Sequence, residues 1–149
     1  MKQAESSISI NSKVKVIWLT KKLWTYQMNE KVFVNADPDR IHQVFNNLLS
    51  NAIRYTDEGQ IAISIEKNDN KVYLSVSDTG VGIETESIER IFERFYRTDN
   101  ARSRAKNGTG LGLSIVNHII KAHGSTVKVE SRLGEGTELS FELEVYSKD

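Results

Sequence analysis

The stretch from Gln60 to Asp78, QIAISIEKNDNKVYLSVSD, sets the tightest limit on the fold, because apolar and polar residues alternate on both sides of a polar turn. Alternation with a period of two predicts strands that bury one face. The turn at Asn68–Asn70 predicts that they form an antiparallel hairpin. A second alternating pair, TVKVESR and TELSFELEVY, is joined by LGEG and predicts another hairpin. Both hairpins need a layer that covers their apolar face.

Two helical segments are predicted to supply that layer. The first, residues 37–56, begins with Asp37 as N-cap and Pro38 in the first helical position, and DEG ends it. The second, GLSIVNHIIKAHG, has Gly124 as its C-terminal stop, and a shorter helix is expected near TESIERIF. The first helix is predicted to have one apolar face, formed by Ile41, Val44, Phe45, Leu48, Leu49, Ala52 and Ile53.

The N-terminal part is predicted to contain a strand at SISIN, one helix over residues 13–31 and a brief strand at KVFVNA. The helix is predicted from four residues at helical spacing, Val16, Leu19, Leu23 and Tyr26. A chain of 149 residues fits a single domain, 1–149. The predicted fold class is α+β: a two-layer α/β sandwich with a mixed, mostly antiparallel sheet and helices on one face.

The composition argues against several classes of protein. The chain has 20 Lys and Arg residues and 20 Asp and Glu residues, whereas a nucleic-acid-binding domain shows a basic excess. Cysteine is absent, which excludes a disulfide framework and a thiolate metal site. The sequence contains neither a long apolar stretch nor a secretory signal. These features predict a cytoplasmic location and no nucleic-acid partner.

Asn47 and Asn51 stand four residues apart on the first predicted helix, so both project from one side, away from the apolar face. Two neutral amide oxygens side by side can complete the shell of a hard cation such as Mg²⁺. Arg54 follows one turn later and can face a phosphate, and Tyr55 offers a flat surface near a base. The alternative is an ordinary solvated helix face that ends in a tyrosine.

Asp78 ends the first hairpin, where a carboxylate is costly to bury unless it has hydrogen-bond donors. The amino group of adenine would supply one, and Gly80 and Gly82 allow a tight turn against a ligand. A strand that runs into Asp-Thr-Gly also occurs in aspartic proteases, where two carboxylates share a proton. The predicted long helices do not fit that all-β fold.

The stretch NGTGLGLS places Gly108, Gly110 and Gly112 directly before the second long helix. Bare amides at a helix N-terminus bind phosphates well. A flexible surface loop followed by an ordinary helix explains the same pattern, because short glycine patterns are weak evidence of a ligand site.

The polar segment 97–109, RTDNARSRAKNGT, is predicted to be a mobile loop. Arg97 opens it and could reach a phosphate, although a lone Arg is usually a surface charge. Phe92, Phe95 and Tyr96 are expected to pack at the root of this loop. Thr137, after the second hairpin turn, could add a hydroxyl to a pocket.

Taken in order, these clusters resemble the ATP-binding catalytic domain of sensor histidine kinases, part of the superfamily shared with gyrase B, Hsp90 and MutL. NLLSNAIRYT is similar to the family's N box, DTGVGI to its first G box, FERFYR to its F box and GTGLGLSIV to its second G box. The resemblance runs from about Asp37 to Leu143. The glycines differ from a Walker loop, since no Gly-Lys-Ser/Thr follows them.

The resemblance implies a site for Mg-ATP. It implies that Asn51 ligates Mg²⁺ with Asn47 beside it, that Arg54 contacts phosphate, and that these three residues form the catalytic set. Asp78 would accept a hydrogen bond from the adenine amino group, and residues 97–109 would be the ATP lid. The other ATP-binding residues expected from the resemblance are Tyr55, Gly80, Gly82, Ile83, Arg97, Gly108, Thr109, Gly110, Leu111, Gly112, Leu113 and Thr137.

ATP-hydrolysing members of the superfamily resemble one another in placing a Glu one helical turn before the metal-binding Asn. Asn47 stands at that position here, and a neutral amide is a poor general base. Slow hydrolysis is therefore expected, with the γ-phosphoryl group kept for another acceptor. The three histidines of the chain lack the His-Glu-x-x-x-Pro context of an acceptor histidine; they are His42, His118 and His123.

The resemblance therefore implies a protein-histidine kinase that donates the γ-phosphoryl group of Mg-ATP to a histidine on a separate dimerisation domain of the same kinase. A response regulator would be an indirect partner. The chain is expected to be a monomeric part of a longer kinase, which could be membrane-anchored. Two alternatives stay open: a nucleotide-binding interaction module without transfer activity, and a superfamily ATPase or serine kinase.

Overall fold

The computed structural model describes residues 7–11, 13–19, 24–27, 31–98 and 110–146. Its strands are β1 (Ser7–Asn11), β2 (Lys13–Leu19), β3 (Trp24–Gln27), β4 (Lys31–Asn35), β5 (Gln60–Asn68), β6 (Lys71–Asp78), β7 (Lys128–Arg132) and β8 (Gly136–Glu144). Its helices are α1 (Pro38–Tyr55), α2 (Thr85–Ile88) and α3 (Gly112–Ala122). No helix in these ranges has the length and apolar character needed to cross a membrane.

The main sheet has six strands in the order β3-β2-β5-β6-β8-β7, and every neighbouring pair is antiparallel. The two predicted hairpins form the centre of this sheet, β5 with β6, and one of its edges, β8 with β7. The predicted α+β sandwich is confirmed. The expectation of one sheet needs a correction, because β1 and β4 form a second, two-stranded sheet. A bridge between Val34 and Val145 connects β4 to the chain just after β8.

The helix predicted over residues 13–31 is wrong, because the chain forms β2 and β3 there. The segment KVKVIW also alternates and contains β-branched residues, which suit strands. The backbone of β2 pairs with β5 from Lys13↔Glu66 to Leu19↔Gln60. This long-range pairing provides hydrogen-bond partners for the backbone of β5 at the edge of the central hairpin. The spacing of apolar residues within the segment cannot predict such a pairing.

Helix α1 begins where the local sequence signals predict. The Asp37 carboxylate accepts hydrogen bonds from the backbone amides of Asp39 at 3.0 Å and Arg40 at 3.3 Å. The predicted apolar face is correct except at Ile53, whose side chain is 46% exposed. Ile53 lies roughly 120° around the helix from Ile41, so it leaves the buried stripe. The buried residues of α1 are Ile41, Val44, Leu48 and Ala52.

Helix α3 packs beside α1 on the sheet and ends as predicted. Gly124 has a φ of +75°, and the amide of Ser125 donates to the carbonyl of Ile120 at 3.1 Å, which closes the last turn. Between helices and sheet lies one core of buried apolar residues. Its largest fully buried members are Leu48, Ile61, Leu74, Ile120, Val34, Val44, Val72 and Val116.

A candidate nucleotide site

One cavity of about 300 Å³ lies between α1, the end of β6, the start of β8 and the start of α3. It gathers most of the residues predicted to form the site. Those on its lining are Asn47, Asn51, Arg54, Tyr55, Asp78, Gly82, Ile83, Arg97, Gly110, Gly112, Leu113 and Thr137. Gly80 and Leu111 do not line it. Gly108 and Thr109, with most of the predicted lid, lie outside the described residues.

The side of α1 that faces the cavity carries Asn47 and Asn51, one turn apart. The Nδ2 group of Asn47 is buried and has no hydrogen-bond partner in the part of the chain that the structure describes. A buried donor left without an acceptor costs about 1–3 kcal/mol. Gly112 faces this side chain, and a Cβ atom there would lie 3.7 Å from the Asn47 Oδ1 atom. The pair therefore leaves polar groups available to a ligand beside the start of α3.

The lining of the cavity also contains Asp78, the last residue of β6. Its Oδ1 atom accepts a hydrogen bond from the amide of Gly80 at 2.9 Å. Burial raises the pKa of Asp78 above its ordinary value of 3.8, and hydrogen bonds from the amides of Gly80 and Thr137 lower that pKa by less. The carboxylate is thus partly desolvated and retains capacity to accept from a ligand.

The two glycines after Asp78, which are predicted to allow a tight turn against a ligand, also make close contacts within the protein, and of the two only Gly82 lines the cavity. A Cβ atom at Gly80 would collide with the carbonyl of Tyr55, and the amide of Val81 donates to that same carbonyl at 3.1 Å. Gly82, with a φ of +72°, lies against the carbonyl of Arg132. The segment is therefore wedged between the end of α1 and the β7–β8 hairpin, and close backbone contacts fix its glycines.

Gly110, which lies just before α3, contacts the segment that leads into the polar loop. The amide of Phe95 donates to the carbonyl of Gly110 at 2.9 Å, and a Cβ atom on Gly110 would lie 2.8 Å from the Phe95 backbone. This contact holds the two ends of the loop together. Phe95 is 66% exposed, so the prediction that its side chain packs at the root of the loop is wrong.

Tyr96 does pack at that root, as predicted. Its hydroxyl donates to the Oγ atom of Ser87 at 3.0 Å, and the guanidinium of Arg90 lies 4.3 Å from the centre of its ring. Ser87 is buried. Tyr96 and Arg97 both line the cavity, so these contacts fix the position at which the polar loop leaves the site.

Most of the apolar lining of the cavity was not predicted from the sequence, apart from Ile83 and Leu113. Val76 and Leu139 stand two residues from Asp78 and Thr137 on the same strands, so they share the face that those residues occupy. Applying the period of two outward from each polar residue would have found both. The other lining residues absent from the prediction are Leu48, Ser50, Ala52, Val81, Ile91, Tyr96 and Thr98.

Residues 36–147 match the family described as histidine kinase-, DNA gyrase B-, and HSP90-like ATPase. Among characterised relatives, Sensor protein SrrB of Staphylococcus aureus strain MRSA252 is 44% identical over 124 residues. That alignment covers 83% of this chain and 20% of SrrB. The chain thus spans about a fifth of the length of the first relatives it matches.

Solved structures show the same similarity. The catalytic domain of histidine kinase ThkA is 41% identical with a TM-score of 0.66, and the match covers 78% of this chain and 74% of that one. Full-length ShkA in complex with AMPPNP is 33% identical with a TM-score of 0.65, covering 78% of this chain and 24% of that one. The mycobacterial sensor histidine kinase MprB is 27% identical with a TM-score of 0.70, covering 77% and 78%.

Proposed function

Because the chain belongs to the histidine kinase-, DNA gyrase B- and HSP90-like ATPase family, we propose that it binds Mg-ATP and donates the γ-phosphoryl group to a histidine on a separate dimerisation domain of a two-component sensor kinase. The family predicted from the sequence is thereby correct. One observation supports the proposal: a single cavity is lined by a partly desolvated carboxylate, by the amide pair of α1 and by the start of α3.

The end of the cavity at Asp78 suits adenine. The carboxylate accepts from the exocyclic amino group, which replaces part of the solvation that burial removed. Val76 and Leu139 provide an apolar floor for the ring, and Tyr55 provides a flat wall. Small-molecule sites commonly combine an apolar lining with a few convergent polar groups in this way.

The end at α3 suits the triphosphate. The amides in the first turn of α3 have no intrahelical partners, and the helix dipole favours an anion there. Gly110 and Gly112 let the ligand approach this backbone. The unpartnered Nδ2 group of Asn47 can donate to a phosphate oxygen, and Arg54 and Arg97 bring positive charge to the lining.

The residues present fit Mg²⁺ as well. Mg²⁺ is usually held by one or two protein oxygens together with substrate phosphates and water. Asn51 would supply one amide oxygen, with Asn47 beside it. Across the described ranges, no cluster of three His, Cys, Asp or Glu side chains could hold a metal by itself, which agrees with a metal brought in with the nucleotide. When bound, Mg²⁺ neutralises phosphate charge.

The transfer step requires little chemistry from this chain. An acceptor imidazole nitrogen forms a bond to the γ-phosphorus, and the bond from that phosphorus to the bridging oxygen of the ADP leaving group breaks. This chain supplies positioning and charge neutralisation. The neutral Asn47 does not activate water well, which favours transfer over hydrolysis.

The histidines of the chain do not act as the acceptor in this proposal. His42 and His118 lie exposed on α1 and α3, and His123 is engaged between the two helices. The acceptor therefore belongs to the partner domain, and a response regulator receives the phosphoryl group later. We place both reactions in the cytoplasm, where ATP is available.

The first test is a calorimetric titration with ATP, with and without Mg²⁺, for the wild type and for Asp78→Asn. The amide retains only half of the carboxylate's capacity to accept, so loss of a charged hydrogen bond should weaken ATP by about 1.5–3 kcal/mol. Unchanged affinity in the variant would show that adenine does not bind at Asp78.

The second test adds a purified dimerisation domain that carries an acceptor histidine. The proposal expects Mg²⁺-dependent labelling of that domain from γ-labelled ATP, and the label should be lost in acid because phosphohistidine is acid-labile. An acid-stable product would favour a serine kinase. Rapid release of phosphate without the acceptor would favour an ATPase, and nucleotide binding without any transfer would favour an interaction module.

A further inference from the structure

Three polar side chains form a row across neighbouring strands at the adenine end of the cavity. Thr137 of β8 pairs directly with Asp78 of β6 and with Ser131 of β7, so all three project from one face of the sheet. Asp78 and Thr137 line the cavity. Ser131 is half-buried and stands one strand further out, on the far side of Thr137 from Asp78.

Ser131 Oγ makes three contacts of hydrogen-bond length. It accepts from the amide of Ile83 at 2.8 Å, it donates to the carbonyl of Gly136 at 2.9 Å, and it lies 2.7 Å from Thr137 Oγ1. A hydroxyl has one hydrogen and two lone pairs. Since a carbonyl can only accept, the single Ser131 hydrogen is used by Gly136.

The direction of the third hydrogen bond follows from this count. Thr137 must donate its own hydrogen to Ser131, because otherwise two oxygens would lie in contact with no hydrogen between them. All three positions on Ser131 are then satisfied. Thr137 Oγ1 is left with only lone pairs to offer the cavity, and the neighbouring Asp78 carboxylate also accepts only.

The geometry points to Ser131 as a positioning residue that selects a 6-aminopurine over a 6-oxopurine by fixing the direction of the Thr137 hydroxyl. This inference rests on the proposed function, since it assumes that a purine nucleotide occupies the cavity. Two acceptors side by side complement the amino group of adenine, directly or through one water. They oppose the carbonyl that hypoxanthine carries at the same position.

The test compares dissociation constants of Mg-ATP and Mg-ITP, measured by calorimetry on the same chain. In Ser131→Ala the Thr137 hydroxyl loses its acceptor and can turn to donate to the ITP carbonyl. The amide of Ile83 also loses its partner, which weakens both nucleotides by a common factor. The ratio of the two dissociation constants cancels that factor. We expect the preference for Mg-ATP over Mg-ITP to fall by about tenfold, which corresponds to the free energy of one hydrogen bond.

Four further variants make the result specific. Ser131→Thr keeps a hydroxyl and should keep the wild-type ratio. Thr137→Val removes the group through which Ser131 acts, so it should lower the ATP preference by itself. Adding Ser131→Ala to Thr137→Val should then leave the ratio unchanged, whereas Thr137→Ser should preserve the preference.

The outcomes that would contradict the inference can be distinguished from one another. An unchanged ratio in Ser131→Ala, with ATP still bound, overturns the inference and leaves the proposed function standing. Additive effects of the two changes on the ratio show that Ser131 does not act through Thr137. If Ser131→Ala does not fold, equal ratios in Thr137→Val and Thr137→Ser still overturn the inference, because they contradict a role for the Thr137 hydroxyl. A wild type that binds neither nucleotide overturns both proposals.

Discussion

At the scale of single residues, Gly82 and Gly134 adopt similar backbone conformations in different surroundings. Their φ angles are +72° and +81°, a region that favours glycine. A Cβ atom at Gly82 would collide with the carbonyl of Arg132, whereas one at Gly134 would meet no atom within 4 Å. The amide of Gly134 donates to the carbonyl of Val81 at 2.7 Å. Gly82 and Gly134 thus lie on the two sides of the contact between the segment after β6 and the β7–β8 hairpin.

This pair predicts two different costs for the same substitution. Gly134→Ala should lower the free energy of unfolding by about 1–2 kcal/mol, the penalty of a left-handed conformation. Gly82→Ala carries that penalty and should add about 1–3 kcal/mol for the forced backbone shift. Urea denaturation of both variants measures the difference. Equal losses would show that the segment moves freely away from the hairpin.

The polar residues of the site were accessible to sequence reasoning because their chemistry is local. An Asp at the end of a strand and two Asn one helical turn apart are recognisable without a structure. The role of Gly80 was not, because its close neighbour is the carbonyl of Tyr55, distant in sequence. Ser131 was missed for a similar reason: its significance comes from hydrogen-bond partners on β8 and in the segment after β6.

At the scale of elements, one histidine fixes the end of α3 to the start of α1. The Nε2 atom of His123 accepts from the amide of Asp37 at 3.1 Å, and its Nδ1 atom lies 2.8 Å from the carbonyl of Ile119. Nδ1 therefore carries the hydrogen and Nε2 is the acceptor. The same residue closes one helix and satisfies the N-cap amide of the other.

Removal of this link should loosen the helix pair. His123→Ala deprives two backbone groups of their partner and should lower the free energy of unfolding by about 1–3 kcal/mol. His118→Ala is the matched control, because His118 is exposed on the same helix, and such changes usually stay within about 0.5 kcal/mol. Chemical denaturation of both variants gives the comparison, and equal values would show that the link contributes nothing.

The elements differ in how far their own sequence determines them. Helix α1 was predicted correctly because its cap, its proline and its apolar period all lie within the helix. The segment that forms β2 has a pattern compatible with two structures, and pairing with β5 decides between them. Local propensity is a weak guide when a distant strand offers a continuous set of backbone partners. The same argument explains why a second sheet, β1 with β4, was not anticipated.

At the scale of the whole molecule, the cavity belongs to no single element. Asn51 comes from α1, Asp78 from β6, Thr137 from β8 and Gly112 from α3, and the core beneath them is shared. The order of these residues along the chain was enough to recognise the family. That they line one cavity could be seen only in the folded structure. A ligand that contacts all four elements binds only the folded chain, so it must stabilise the whole domain.

This linkage gives a measurable shift in the melting temperature. At about 100 times its dissociation constant, Mg-ATP should add about 2.7 kcal/mol of stability. For a domain of this size each kcal/mol raises the melting temperature by about 2–4 °C, so the expected shift is roughly 5–10 °C. Part of it should require Mg²⁺, and Asn51→Ala should abolish that part while keeping the shift from ATP alone.

Asn46→Ala is the control for this experiment, because Asn46 is exposed on the same helix and does not line the cavity. It should show the full wild-type shift, with and without Mg²⁺. Asp78→Asn should reduce the part of the shift that ATP gives alone and keep the Mg²⁺-dependent part, since it weakens binding of the base and not of the metal. If Asn51→Ala retained the whole Mg²⁺-dependent part, the metal would be held without Asn51, and the amide pair of α1 would have to act on the phosphates alone.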